Sequence, residues 1–192
     1  MKILFSLICI FSLKTYAQLN NESRFIAAGG FGQAQAKSAT TGQVRSESPG
    51  GLSFSVDKHF SGPYFILAEH MRSLGAGGSS VGMTGVGLKF YPWANPIHFQ
   101  KIQDLSIRSK ISFAGYFPYF GSTLGFAQAS MIGTSTTEDI LVVGGYLDMK
   151  SGVEFPLSER WGLISEFNFI TTVFGSGTVQ ALNFLFGVYI AF

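Results

Sequence analysis

The chain contains one cysteine, Cys9, and it lies in an N-terminal apolar run. The remainder therefore has no disulfide framework, no Cys-ligated metal and no thiol nucleophile. Charge is scarce as well, at 12% of residues. What charge exists is balanced, because setting aside Lys2 and Lys14 of the N-terminal segment brings the 13 basic residues down to the number of acidic ones, 11. No basic run or stripe remains, so no nucleic-acid partner is expected. His59, His70 and His98 are the three histidines, with no pair at metal-ligand spacing. Zinc or iron has little support, and neither a metal nor a cofactor is expected. After the N-terminal run, no apolar stretch reaches the roughly 18 to 20 residues that take a helix across a bilayer. What the chain has in quantity is 24 glycines, 20 phenylalanines and a positive mean hydropathy. Apolar residues spread in this way fit alternating strands. Lipid leaves every backbone polar group to be paired internally, so a closed barrel is the consistent solution.

Residues 1–17 carry Lys2, the apolar run 3–13 and then Thr15, Tyr16 and Ala17, the layout of a cleaved secretory signal. Cys9 follows Ile8 within the run and does not form a lipoprotein site. The expected organisation is a signal peptide over 1–17 and one barrel domain over 18–192, with a polar lead-in before the first strand.

The last ten residues set the architecture. Phe184, Phe186, Val188, Ile190 and Phe192 alternate with Asn183, Leu185, Gly187, Tyr189 and Ala191, the period-two pattern of a strand with lipid on one side and a packed lumen on the other. Similar segments occur at 24–33, 51–60, 64–72, 81–91, 109–121, 144–155, 161–171 and 181–192. Tilted strands of about 9 to 11 residues cross the hydrocarbon, and an even number returns both termini to one side. The predicted fold is all-β, an eight-stranded antiparallel transmembrane up-and-down β-barrel. In the fifth segment, Pro118 and Gly121 predict a bulge or bend.

The connections alternate. Turns at 61–63 and 156–160 are tight, whereas 34–50, 73–80, 132–143 and 173–180 are rich in Ser, Thr and Gly. Short turns belong on the periplasmic side and longer polar loops outside. Phe60, Tyr64, Tyr91, Trp93, Phe155 and Trp161 then gather at the periplasmic rim as an aromatic girdle. The stretch 92–108 is too long for such a turn and is expected to lie along the interface. The outer loops carry few aromatics, so no adhesive patch is expected. The glycines of the first and fourth strands predict sharp curvature and bulky lumen neighbours.

Charge assigns the faces, since Lys or Arg on the lipid face near the midplane costs roughly 2 to 4 kcal/mol. In the sixth strand Tyr146, Asp148, Lys150 and Glu154 share one parity and must point inward. In the seventh, Glu166 and Asn168 do so. A hairpin centred on Ser158 would place Lys150 opposite Glu166, Asp148 opposite Asn168, Met149 opposite Phe167 and Phe155 opposite Trp161. A three-residue connection at 61–63 would set Asp57 opposite Leu67 and Ser55 opposite Glu69. With Lys89 and Lys110, the predicted lumen network is Asp57, Glu69, Lys89, Lys110, Asp148, Lys150, Glu154 and Glu166. An eight-stranded barrel is only wide enough to be filled by such side chains.

His59-Phe60-Ser61 has the His-x-Ser spacing of outer-membrane lipid A deacylases, but it falls at a predicted periplasmic turn rather than at the outer rim. His70, followed by Arg72 and Ser73, is better placed to meet lipid A phosphate groups, although a lone rim histidine is ordinarily structural. Gly75-Ala76-Gly77-Gly78 lacks the Lys and helix of a phosphate-cradling loop.

Terminal Phe192, Lys89-Phe90-Tyr91-Pro92, Phe117-Pro118-Tyr119-Phe120-Gly121 and the run from Val153 to Trp161 together resemble the small outer-membrane β-barrel superfamily of outer-membrane proteins A, X and W. That resemblance covers the whole chain after the signal. It implies that Phe192 is an assembly signal read by the barrel-assembly machinery, and that outer-membrane lipid and lipopolysaccharide are the surroundings. The expected protein is a monomeric, non-enzymatic barrel of the bacterial outer membrane with a plugged lumen, contributing to envelope integrity or surface contact. The alternatives are passage of small hydrophobic solutes, as in protein W, and lipid A modification.

Overall fold

The computed structural model describes residues 23–61, 63–75, 78–92, 116–132, 139–157 and 160–192. Nine strands follow in chain order: β1 (Ser23–Ser38), β2 (Val44–Glu47), β3 (Gly50–Ser61), β4 (Tyr64–Leu74), β5 (Ser80–Phe90), β6 (Phe117–Met131), β7 (Ile140–Pro156), β8 (Trp161–Gly175) and β9 (Gly177–Ala191). All neighbours are antiparallel, and β9 pairs with β1 from Arg24↔Ala191 to Ser38↔Gly177, which closes an eight-stranded barrel with β2 as an addition. Closure removes the edges that would leave backbone groups unpaired in lipid.

Alternation does the sorting. On β9, Phe184, Phe186, Val188 and Ile190 are exposed on the outer face, while Asn183, Leu185 and Tyr189 are buried inside. One row of outward residues runs from Ile190 through Phe25, Val56, Ala68, Val86, Leu124, Leu147 and Thr171, each opposite the next, and returns to β9 at Gln180. The circuit therefore ends ten residues from its start, the stagger that accompanies tilted strands in a small closed barrel. At the end where β1 begins and β9 finishes, here the terminal end, Phe60, Tyr64 and Trp161 are exposed and Phe155 is half-buried. Tyr64 stacks on Phe90 at 5.2 Å between ring centroids.

Several expectations are corrected. The stretch 34–50, expected as an outer loop, is mostly strand: β1 continues to Ser38, and β2 returns along it from Lys37↔Val44 to Ala34↔Glu47. β2 and β3 lie on the same side of β1 and are separated by Ser48 and Pro49, so together they form one arm of a long hairpin. Proline lacks the donor that would continue the ladder, and its carbonyl accepts from Gly32 N at 3.1 Å. Likewise β8 and β9 extend through most of 173–180, leaving only Ser176 between them.

The fifth barrel strand is Phe117–Met131 rather than 109–121, of which 109–115 lies outside the described residues. Pro118 makes no bulge: it sits past Phe120, the last residue of β6 to pair with β5, where a strand tolerates proline. Asp57↔Leu67 and Ser55↔Glu69 stand as expected, but the turn is tighter because Phe60 bulges between His59↔Phe65 and Ser61↔Tyr64. β7 and β8 pair two residues away from the expected hairpin: Lys150 faces Asn168, Asp148 faces Ile170, Met149 faces Phe169 and Phe155 faces Leu163. A slip of two preserves every face, so parity is blind to it.

Candidate functional site

The lumen divides into two ionic clusters and an apolar half. Nearest the terminal end, β1 supplies Arg24, whose parity opposes that of lipid-facing Phe25 and Phe31. Its Nε and Nη2 grip Asp57 of β3 in a two-point pair, each at 2.8 Å. Nη1 reaches Glu154 of β7 at 2.6 Å, and Nη2 also donates to the Tyr91 hydroxyl at 2.7 Å. That hydroxyl donates in turn to Glu154 at 2.6 Å. Lys89 of β5 completes the group, with Nζ 3.2 Å from Asp57. Two cations thus meet two carboxylates, all buried. The planar guanidinium matches carboxylate geometry and also stacks over Phe65, 4.5 Å from the ring centroid.

Deeper in the barrel, Lys150 gathers three acids. Its ammonium bonds Glu69 of β4, lies 3.0 Å from Asp148 and is 3.7 Å from Glu166 of β8. The Tyr119 hydroxyl donates to Glu166, and the Tyr119 ring lies over Gly152, where an added Cβ would come within 2.5 Å of it. Gly85 plays the same part for the Tyr146 hydroxyl, which would lie 2.6 Å from a Cβ there. Toward the distal end the lining turns apolar. Met71, Met83, Met131, Val81, Val142, Val179, Ile140, Ile170 and Leu185 interleave with Ala34, Ala36, Ala127, Ala129 and Ala181, all buried.

A clasp crosses the distal mouth. The Ser79 hydroxyl donates to Glu47 of β2 at 2.5 Å and accepts from Ile132 N at 3.0 Å. Arg45 donates to the Ile132 carbonyl at 2.6 Å. Inward-facing residues of β2 are thereby fastened to the β4–β5 turn and to the residue after β6.

Of the predicted network, Asp57, Glu69, Lys89, Asp148, Lys150, Glu154 and Glu166 are buried in the lumen, and Lys110 lies outside the described residues. Lys150 and Glu166 approach each other diagonally rather than from facing positions. Tyr91 is corrected: it is 0% exposed and belongs to the Arg24 cluster, not to the girdle. It has the parity of Lys89, and that was its signal. Trp93 lies outside the described residues. Arg24 was missed although its parity was readable. His59 faces the Phe65 ring at 5.1 Å near the terminal end. His70 is on the lipid face, 2.8 Å from Thr84. Ser73 points inward, away from Arg72. Among the described residues no group of His, Cys, Asp or Glu is arranged to hold a metal ion.

An eight-stranded antiparallel barrel with an apolar outer belt and paired charges inside is an integral membrane barrel of the bacterial outer-membrane type. Solved structures give the same fold. Neisserial surface protein A is 14% identical with a TM-score of 0.59, the match covering 88% of this chain and 97% of that one. The N-terminal β-barrel domain of OprF from Pseudomonas aeruginosa is 11% identical with a TM-score of 0.56, covering 90% and 98%. Outer membrane protein OprG from the same organism is 12% identical with a TM-score of 0.50, covering 90% and 97%. No family model and no curated protein matches the chain. At such identities the likeness is one of fold.

Proposed function

We propose that this protein is a non-enzymatic outer-membrane barrel whose side chains plug its lumen, serving envelope integrity or surface contact. The observation that carries the reading is the Arg24 cluster. One guanidinium ties β1 to β3, to β7 and to Tyr91 after β5, so polar and charged side chains from four strands of the wall meet across the bore. Conductance of the refolded chain in a planar bilayer tests it. The wild type is expected to be silent, and Lys150→Ala, which leaves Glu69, Asp148 and Glu166 to repel one another, is expected to open or leak. Stable discrete openings in the wild type would overturn the plug.

A second reading, passage of a small apolar solute, draws on the apolar distal half of the lumen, which needs the Glu47–Ser79 clasp to open. Uptake of a small apolar dye into vesicles bearing wild type or Ser79→Ala separates the two readings. Faster uptake with the variant supports passage, and equal rates support the plug.

A further inference from the structure

The apolar belt is broken on β4 and β5. His70 stands in one row with Phe54 on β3, Thr84 on β5 and Phe126 on β6. Both phenylalanines are exposed on the lipid face, so the His70–Thr84 pair lies within the belt rather than beyond it. One row toward the distal end come Leu52, Arg72, Gly82 and Gln128. Arg72 is exposed, and among the described residues it makes no ion pair. Gly82 beside it offers no side chain, and nothing lies within 4 Å of where a Cβ would be. Arg72 therefore stands beside a gap in the outer side chains that Gln128 borders on the far side, with exposed Leu52, Phe54 and Phe126 around it.

A cation on a lipid face is costly in hydrocarbon and becomes tolerable where an anionic headgroup can meet it. The hydrogen bond between Nδ1 of His70 and the Thr84 hydroxyl holds the exposed imidazole in place and leaves its Nε2 for a ligand. Arg72 supplies a planar fork suited to phosphate oxygens. We infer that this gap binds the phosphate of an outer-leaflet lipid, with Arg72 and His70 on the headgroup and the acyl chains over Leu52, Phe54 and Phe126. A free anion would leave the apolar frame unused, and a neutral lipid would leave the cation unmatched. The inference rests on the outer-membrane placement proposed above, with the end that carries the short turns facing the periplasm, and not on the plug.

Native mass spectrometry of the refolded chain in detergent tests it, using bisphosphorylated lipid A, the same lipid A freed of phosphate, and inorganic phosphate as probes. The phosphorylated lipid is expected to be retained, and Arg72→Gln to weaken retention about tenfold, as for loss of a charge-assisted hydrogen bond. His70→Gln should weaken it less. Lys37→Gln, which removes an exposed cation beyond the belt, should leave it unchanged. Heat-modified gel migration verifies that each variant folds. Equal retention of the dephosphorylated lipid, equal loss with Lys37→Gln, or displacement by equimolar inorganic phosphate would each overturn the inference. Loss of the lipid beside a silent bilayer record removes this site and leaves the plug, while retention beside wild-type openings does the reverse.

Discussion

Arg24 joins β1 to Asp57, Glu154 and Tyr91, and its removal would leave two buried carboxylates with only Lys89 nearby. Breaking a buried ion pair by deleting one partner costs about 3 to 5 kcal/mol. Arg24→Met is therefore expected to lower stability by about that much in a denaturant titration of the refolded barrel. Arg24→Lys, which keeps charge but not the two-point grip, should fall between. A change under about 0.5 kcal/mol, the range of an ordinary surface substitution, would sink the idea that this cluster ties the wall together. A pair of glycines gives a contrast within one strand architecture. Gly152→Val must displace the Tyr119 ring from Glu166 and press on the Ser165 carbonyl, 2.7 Å from the added Cβ, whereas Gly82→Ala meets nothing within 4 Å. The first is expected to destabilise strongly and the second hardly at all, in the same titration. Residue by residue, facing was readable wherever a charge shared parity with its neighbours, as for Asp148, Lys150 and Glu154. Arg24 opposes Phe25 in parity as well, but it stands at a strand start, where few residues precede it to establish the alternation.

The β1–β2 hairpin is the element whose structure departs furthest from its appearance in sequence. Ser, Thr and Gly in 34–50 suggested loop, yet Ala34 and Ala36 are buried while Gln33, Gln35 and Lys37 are exposed, an alternation with small residues inside and polar residues outside. That pattern lacks the bulky apolar face that makes a lipid-exposed strand conspicuous, because this part of the wall stands beyond the belt. The same weakness hid the distal end of β9, where Gln180 and Thr178 face outward, whereas the rest of that closing strand, with a large apolar residue at every second position, was plain. Local pairing depends on turns, and the β7–β8 register slipped by two because alternation carries no information about even shifts. The clasp holding the hairpin down is testable by itself. Ser79→Ala removes the hydroxyl that serves both Glu47 and Ile132. Proteolysis near residues 39–43 is expected to quicken while heat-modified migration of the barrel stays as in the wild type. Unchanged cleavage would mean that β1–β2 pairing and the Arg45 bond to Ile132 restrain the hairpin without Ser79.

Across the whole molecule, wall height is uneven. β3, β4 and β5 have 12, 11 and 11 residues, while β1 and β6 to β9 have 15 to 17. A tilted crossing uses roughly 9 to 11, so the longer strands carry sheet past the hydrocarbon on one side. The change of surface chemistry marks where lipid ends. On β1 the outward series Phe25, Ala27, Gly29 and Phe31 gives way to Gln33, Gln35 and Lys37. On β9 it runs Ile190, Val188, Phe186, Phe184 and Leu182 before Gln180 and Thr178. Gln35 stands opposite Gln180 and Ser46, a polar row set above Phe31 and Phe184, the last outward phenylalanines of β1 and β9. Phe186 pairs with Gly29 and Ser165 in the middle of the belt. Replacing Trp93 and Trp161 by Phe and placing one tryptophan at either position turns this into a depth measurement in vesicles with brominated acyl chains. Phe186→Trp should be quenched strongly and Gln35→Trp little. Equal quenching at the two would mean that the polar rows of the tall wall are immersed, which would put Lys37 in lipid and undo the belt as the boundary of the membrane.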